Sequence, residues 1–205
     1  MPSTPTKIVC VGRNFAAHAK ELGNDVPREP LIFLKPPSSL IRTGESIRLP
    51  TVSKQVEYEG EIGVVIGKRL HRASAEQARG SIAGIVAAND VTARDLQRSD
   101  SQWTRAKGFD TFCAIGEVGA VPGDLGSLSL TTRVNGTVRQ QAHAAEMVFD
   151  IPAILAYISN VMTLEENDLI LTGTPDGVGT LAAGDVVEVE IAGVSRVSNP
   201  VTLDV

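Results

Sequence analysis

The segment Glu57-Tyr58-Glu59-Gly60-Glu61-Ile62-Gly63-Val64-Val65-Ile66 holds the densest chemistry in the chain. On an extended strand, residues two apart point the same way. Glu59 and Glu61 therefore share a face, with Glu57 one step further out. The strand runs on into apolar residues, a pattern of burial. Carboxylates entering a core repel one another and lose hydration. A divalent cation compensates that best. A solvated strand face is the competing reading, and Glu188 and Glu190 show it in this same chain, alternating with Val187, Val189 and Ile191.

A third carboxylate, Asp90, follows the apolar run Ile82 to Ala88, where a core strand ends. Its competing role is to cap a following helix, which Thr92 could also do. Glu59, Glu61 and Asp90, with no Cys or His among them, make a hard oxygen set that suits Mg²⁺ or Mn²⁺. His18 and Glu21 stand at i and i+3 of a short helical stretch and share a face. A glutamate can orient an imidazole and raise its basicity, giving a general-base pair; a surface contact is the alternative. Lys107 reads as a lone, solvated lysine in a loop. The segment Gly173 to Thr180 lacks the Gly-Lys-Ser/Thr of a phosphate loop. It reads as a tight loop that brings backbone N–H groups and the Thr174 hydroxyl to a carboxylate. Neither Cys10 nor Cys113 has a neighbour that marks a nucleophile.

These residues need a scaffold, and the pattern is many short strands with few helices. Lys7 to Val11, Leu31 to Leu34, Glu61 to Ile66 and Ile82 to Ala88 read as strands. Asn135-Gly136 joins two more in a hairpin, because both residues tolerate positive φ. Asn14 reads as the cap of a helix over Phe15 to Leu22, closed by Gly23. Ser74 and Gln77 form a capping box. Asp150 opens the clearest helix, with Ile151, Ile154, Leu155, Ile158 and Met162 on one apolar stripe. The sum is a β-rich α+β fold whose evenly scattered strands favour a closed or sandwich-like sheet.

The 205 residues suit one domain. Net charge is −5, and no Lys/Arg run reaches four residues, which argues against nucleic acid and anionic membranes as partners. Two cysteines make neither a disulfide framework nor a zinc site, so a reducing cytoplasm fits best. The polar start and the short apolar run Ile8 to Val11 suit neither a signal peptide nor a membrane span.

Taken together, the chain resembles the fumarylacetoacetate hydrolase family. The matching pieces are Val11-Gly12-Arg13-Asn14-Phe15 with His18 and Glu21, Phe33-Leu34-Lys35-Pro36, and Glu59 to Gly67. Asp90 to Asp95, Trp103 to Phe109 and Leu171 to Gly179 complete the set, in order and over nearly the whole chain. The likeness is greatest to short members acting as acylpyruvases and as oxaloacetate decarboxylases or tautomerases. It implies a mixed β-roll or sandwich core in one domain over residues 1–205, a lid at about 13–30, and a homodimer. It implies Mg²⁺ or Mn²⁺ on Glu59, Glu61 and Asp90, and His18, Glu21 and Lys107 as catalytic groups. Arg13, Arg94, Gln97 and Thr174 match positions near a small 2-oxo acid substrate.

The reaction so implied is hydrolysis of a C–C bond in acylpyruvate-type 2,4-dioxo acids through the enolate of pyruvate. Oxaloacetate decarboxylation or tautomerisation, and isomerisation or hydration of 2-hydroxy-dienoate diacids, are the alternatives within enzymology. A non-catalytic ligand-binding protein is the alternative outside it. The stretch between Arg94 and Trp103 is a few residues shorter than the family pattern, at the pocket entrance, which leaves substrate size open.

Overall fold

Strands dominate residues 4–204, the part of the chain that the computed structural model describes. In chain order the elements begin β1 (Ile8–Gly12), α1 (Ala16–Glu21), β2 (Leu31–Lys35), β3 (Leu40–Arg42), β4 (Ile47–Leu49), β5 (Val56–Tyr58) and β6 (Gly60–Ile66). They continue with α2 (Ala75–Arg79), β7 (Ile82–Asp90), β8 (Thr92–Ala93), α3 (Arg94–Ser99), α4 (Thr104–Gly108) and β9 (Cys113–Ile115). The last are β10 (Ser129–Val134), β11 (Thr137–His143), α5 (Ile151–Val161), β12 (Leu169–Leu171), β13 (Gly179–Thr180), β14 (Val186–Ile191) and β15 (Ser195–Leu203). This is the β-rich α+β class that the strand pattern predicts.

A seven-stranded mixed sheet runs β2-β1-β12-β6-β7-β9-β3, with β1–β12 and β3–β9 parallel. Its two edge strands, β2 and β3, are separated in sequence only by Pro36 to Ser39. Laid flat, six strand spacings would put those edges about 29 Å apart. A link of four residues spans at most ~18 Å. The sheet must therefore curl back toward itself, and it does: Lys35 on β2 reaches Asp90 on β7 at 2.6 Å, across three intervening strands.

The two faces of this sheet carry different cores. Val9, Ile62, Val64, Ile85 and Ile170 face the main core. Against them pack Leu130, Val187, Val189 and Ile191 of a five-stranded sheet, β11-β10-β14-β15-β4, and the stripe of α5. On the inner face of the curl, Cys10, Val65, Val86, Ala88, Cys113 and Leu171 form a second, smaller cluster. Strand alternation continues that inner face from Val65 through Gly63 to Glu61, and from Val86 through Ala88 to Asp90. Glu61 pairs with Ala88 in the ladder, so Glu61 and Asp90 end up side by side at one mouth of the curl.

Local signals explain most element ends. The Asp150 carboxylate accepts from Ala153 N–H at 2.8 Å, and Pro152 sits in the first turn of α5. Ile151, Ile154, Leu155 and Ile158 are buried, while Met162 lies just past the helix end and is half-buried. The Ser74–Gln77 capping box is present, and Asn135 and Gly136 take the positive φ that their hairpin requires. Two expected caps are not found. Phe15, not Asn14, is the N-cap of α1, and it makes no side-chain cap bond. Asn14 instead donates to the Thr172 and Phe149 carbonyls and accepts from Phe149 N–H, tying the start of α1 to two distant segments. Thr92 lies in a strand and donates to the Asp90 carbonyl, and α3 starts from Ala93 without a side-chain cap. For Asn14 tertiary partners outcompete the local backbone N–H; for Thr92 a carbonyl two residues back does so. Among the described residues no helix is long and apolar enough to cross a membrane.

Asn14→Ala would leave buried amide and carbonyl groups without partners, at a cost of about 1–3 kcal/mol. Thermal unfolding should show a clear drop in Tm. A wild-type Tm in that variant would mean the three bonds contribute nothing net.

Candidate metal and acid–base site

The mouth of the curl opens into a cavity of about 440 Å³. Glu59, Glu61, Asp90 and Lys107 line it from below, His18 and Glu21 from α1, and Trp103 from the side. Arg13, Arg94, Gln97 and Thr174 line it too, so the structure brings every site residue expected from the sequence to one cavity.

Glu59, Glu61 and Asp90 are all buried, and one carboxylate oxygen from each lies within 4.8 Å of the others. Gly60 makes this spacing possible. A Cβ there would stand 1.9 Å from the Thr132 hydroxyl and 3.1 Å from Gln140 Oε1, so only glycine fits between the two glutamates. Gln140 accepts from Gly60 N–H at 2.9 Å and donates to the Thr174 hydroxyl at 2.7 Å. Thr174 in turn donates to the Gly60 carbonyl. The peptide between the glutamates is held on both sides.

Three cations are buried among the acids. Lys107 donates to Glu59 at 2.8 Å and to Asp90 at 2.6 Å. It lies in α4 and is 2% exposed, so the reading of a solvated loop lysine is corrected. The Trp103 carbonyl receives its N–H and the turn aims the side chain inward. Lys35 donates to the other Asp90 oxygen and to the Val91 carbonyl at 3.2 Å. Arg94 binds Glu57 at 2.7 Å, Glu59, and Gln97. All three of its guanidinium nitrogens are thus engaged within the protein, so it holds Glu59 in place as well as facing the cavity. Glu57 belongs to this ion pair and not to the acidic triad.

Four carboxylates (Glu57, Glu59, Glu61, Asp90) against three cations (Lys35, Lys107, Arg94) leave one negative charge over. The excess falls on Glu61, whose carboxylate has one hydrogen-bond partner among the described residues, Gly173 N–H at 2.7 Å. Burial, then the charges of Asp90 and Glu59, push the Glu61 carboxyl well above the usual range. Burial would raise Glu59 as well, but Lys107 and Arg94 outweigh it and hold Glu59 well below that range. Burial alone would lower Lys107; Asp90 and Glu59 overcome it and hold the ammonium above its ordinary value. A cluster of oxygens short of positive charge by this margin fits a divalent cation of the Mg²⁺ or Mn²⁺ type.

Above the acids, His18 Nδ1 lies 3.1 Å from Glu21 Oε2. The Glu21 carboxylate also accepts from Gly177 N–H at 3.0 Å. The loop after β12 therefore offers its N–H groups to two carboxylates of the chain itself, Glu61 and Glu21. Arg13 adopts the left-handed backbone, φ 59°, at the cavity wall. Such strain in a non-glycine residue concentrates at functional positions. Arg98, in the last turn of α3, and Trp103, just before α4, both reach the cavity. Cys10 and Cys113 are buried, and burial pushes the Cys113 thiol up to about 12, far from reactive.

The pattern of the C-terminal part of fumarylacetoacetate (FAA) hydrolase matches residues 7–202. This chain belongs to that family. It is 46% identical to the mitochondrial oxaloacetate tautomerase FAHD1 of Arabidopsis thaliana, over 94% of this chain and 89% of the relative. It is 44% identical to the mitochondrial oxaloacetate decarboxylase of Dictyostelium discoideum, over 93% and 90%. Among solved structures, the 2-hydroxyhepta-2,4-diene-1,7-dioate isomerase of Mycobacterium marinum superposes with a TM-score of 0.90 at 45% identity, covering 98% of this chain and 76% of that one. Family membership and the curled β-rich fold thus agree with the motifs read from the sequence. Sequence reasoning assigned no role to Lys35 or Gln140. Each has a partner more than fifty residues away, Asp90 for Lys35 and Gly60 for Gln140, which no local spacing signals.

The raised Glu61 carboxyl gives a sign-definite expectation. A carboxyl whose folded pKa exceeds its unfolded value of ~4.3 stabilises the fold at low pH, and that contribution is lost as pH rises. Glu59 works oppositely, but its contribution is complete above ~4.3 and constant beyond. A divalent ion must displace the Glu61 proton, so ion binding tightens with pH. The Tm increase on adding Mn²⁺ should be larger at pH 7.5 than at 5.5, with proton release seen by calorimetry in two buffers. An equal Tm increase at both pH values, or proton uptake, would contradict the charge balance derived above.

Proposed function

We propose that this chain is a divalent-metal-dependent enzyme that moves a proton at C3 of a small 2-oxo acid, with oxaloacetate keto–enol tautomerisation as the reaction. The observation that carries the reading is the His18–Glu21 pair facing three buried carboxylates across one cavity. A divalent ion on Glu59, Glu61 and Asp90 would supply Lewis-acid polarisation of the 2-oxo carbonyl.

The chain's own groups would do the rest. His18 takes the C3 proton and returns it, with Glu21 holding the ring at Nδ1. Lys107, buried and firmly protonated beside Glu59 and Asp90, offsets negative charge that develops on the carbonyl oxygen. Arg13 and Arg98 offer charge to the substrate's far carboxylate at the cavity rim. Trp103 and α1 limit water; residues 13–30 would close over the substrate. The names of the Arabidopsis and Dictyostelium relatives favour oxaloacetate as the substrate. Acylpyruvate hydrolysis is the second reading, favoured by the same pair: a carboxylate-oriented histidine can also deprotonate water. Decarboxylation and dienoate isomerisation use the same removal of charge to the carbonyl oxygen. The reading includes a homodimer.

The test offers oxaloacetate and acetylpyruvate to purified protein, each with Mg²⁺ and with chelator. Enol absorbance and pyruvate are followed together. Metal-dependent keto–enol exchange of oxaloacetate without pyruvate is expected. His18→Ala should lose about 10²–10⁴-fold of that rate. Asp90→Ala should remain folded and lose the metal-dependent part. Pyruvate released from acetylpyruvate, with no acceleration of tautomerisation, would replace the tautomerase by a hydrolase.

A further inference from the structure

The strand that delivers the metal-site glutamates has a reverse side. Tyr58 lies between Glu57 and Glu59, so alternation turns it away from the acids. It is buried, and its hydroxyl donates to the Gly177 carbonyl at 2.9 Å. The Gly177 N–H is the group that holds Glu21, at 3.0 Å, and Glu21 holds His18, at 3.1 Å. Three hydrogen bonds, joined through the Gly177 backbone and the Glu21 carboxylate, therefore lead from the back of β5 to the imidazole.

Two further contacts show that Gly177 is pinned and not merely touched. Its φ is +92°, and a Cβ there would stand 2.1 Å from the Arg139 carbonyl. Only glycine fits, pressed against β11. Tyr58 also pairs with Gly179 through the backbone of β13, and a Cβ on Gly179 would stand 2.8 Å from the Tyr58 hydroxyl. Tyr58 thus grips the loop at two points, from beneath. Glu21, by contrast, is 32% exposed in its side chain, and its bond to Gly177 faces water. Water competes for such a carboxylate, so its direction depends on how firmly the donor N–H is fixed.

We propose that Tyr58 is a positioning residue for the His18–Glu21 pair, acting through Gly177, whose C=O it engages on one side of the α-carbon and whose N–H holds Glu21 on the other. It fixes the donor that aims Glu21, and so the closed position of α1 over the cavity. The metal-site carboxylates are held by other partners, namely Lys35, Lys107, Arg94 and Gly173, and Asn89 Oδ1 accepts from the Glu59 backbone N–H. Loss of the hydroxyl should therefore loosen the acid–base pair and leave the acids alone. The catalytic consequence rests on His18 being the base; the conformational one does not.

Tyr58→Phe removes one oxygen and keeps the ring. Three measurements are made on the full chain. Amide hydrogen exchange in residues 16–24 should become about 2- to 10-fold faster, the factor that one hydrogen bond supplies, while β6 and β7 keep their rates. Mn²⁺ affinity should match wild type. With oxaloacetate, kcat should fall several-fold at nearly unchanged KM. Wild-type exchange in residues 16–24 would overturn the proposal whatever the activity. Exchange and Mn²⁺ affinity altered together would overturn it too, placing Tyr58 in support of the metal strand. Faster exchange with no turnover by wild type on either substrate would keep the positioning role and fail the tautomerase reading instead.

Discussion

Burying Glu59, Glu61 and Asp90 together is the constraint on which the rest of the structure depends. Carboxylates out of water and within 4.8 Å of each other are not tolerated without positive charge. The fold meets this by sending Lys35, Lys107 and Arg94 into the same pocket from three different elements. Lys35 comes from the far edge strand, and it can arrive only because the seven-stranded sheet curls. The short Pro36–Ser39 link that forces the curl is therefore also what closes the electrostatics of the site. The compensation stops one charge short, at Glu61, a shortfall that a cation on the triad would make good.

A second layer of the structure keeps these charges from rearranging. Gly60 lets the Thr132 hydroxyl and Gln140 press against the backbone between the two glutamates. The loop after β12 is pulled to the same place by Thr174 and by Gly173. It then continues to Gly177, which serves the acid–base pair. One loop therefore touches both the acidic triad and the His18–Glu21 pair. Strands supply the rigid half, where charges must stay fixed. A short helix in a long connection supplies His18 and Glu21. This division suits chemistry in which a carbonyl oxygen gathers charge while a proton comes and goes at the neighbouring carbon.

Much of this was legible in the chain itself. The period-two placement of Glu59 and Glu61, Asp90 at the end of an apolar run, and His18 three residues before Glu21 are local facts. So are the Asp150 and Ser74 caps and the Asn135-Gly136 turn. Strand and helix periodicities decide these things over a few residues, and neighbouring sequence is enough to express them.

What tertiary structure alone decided is where buried polar groups find partners. Asn14 carries a side chain suited to a cap, yet long-range carbonyls and an amide claim it. Lys107 has the look of a surface lysine, but two carboxylates stabilise its charge in the interior, and no local pattern records that. Tyr58 is an ordinary strand residue until Gly177, more than a hundred positions later, is folded over its hydroxyl. The amino-acid sequence by itself determined the face on which each acid stands and the class of fold that could carry it. The closure of the sheet determined which cations meet those acids, because electrostatic compensation acts through space while side-chain periodicity acts along the chain.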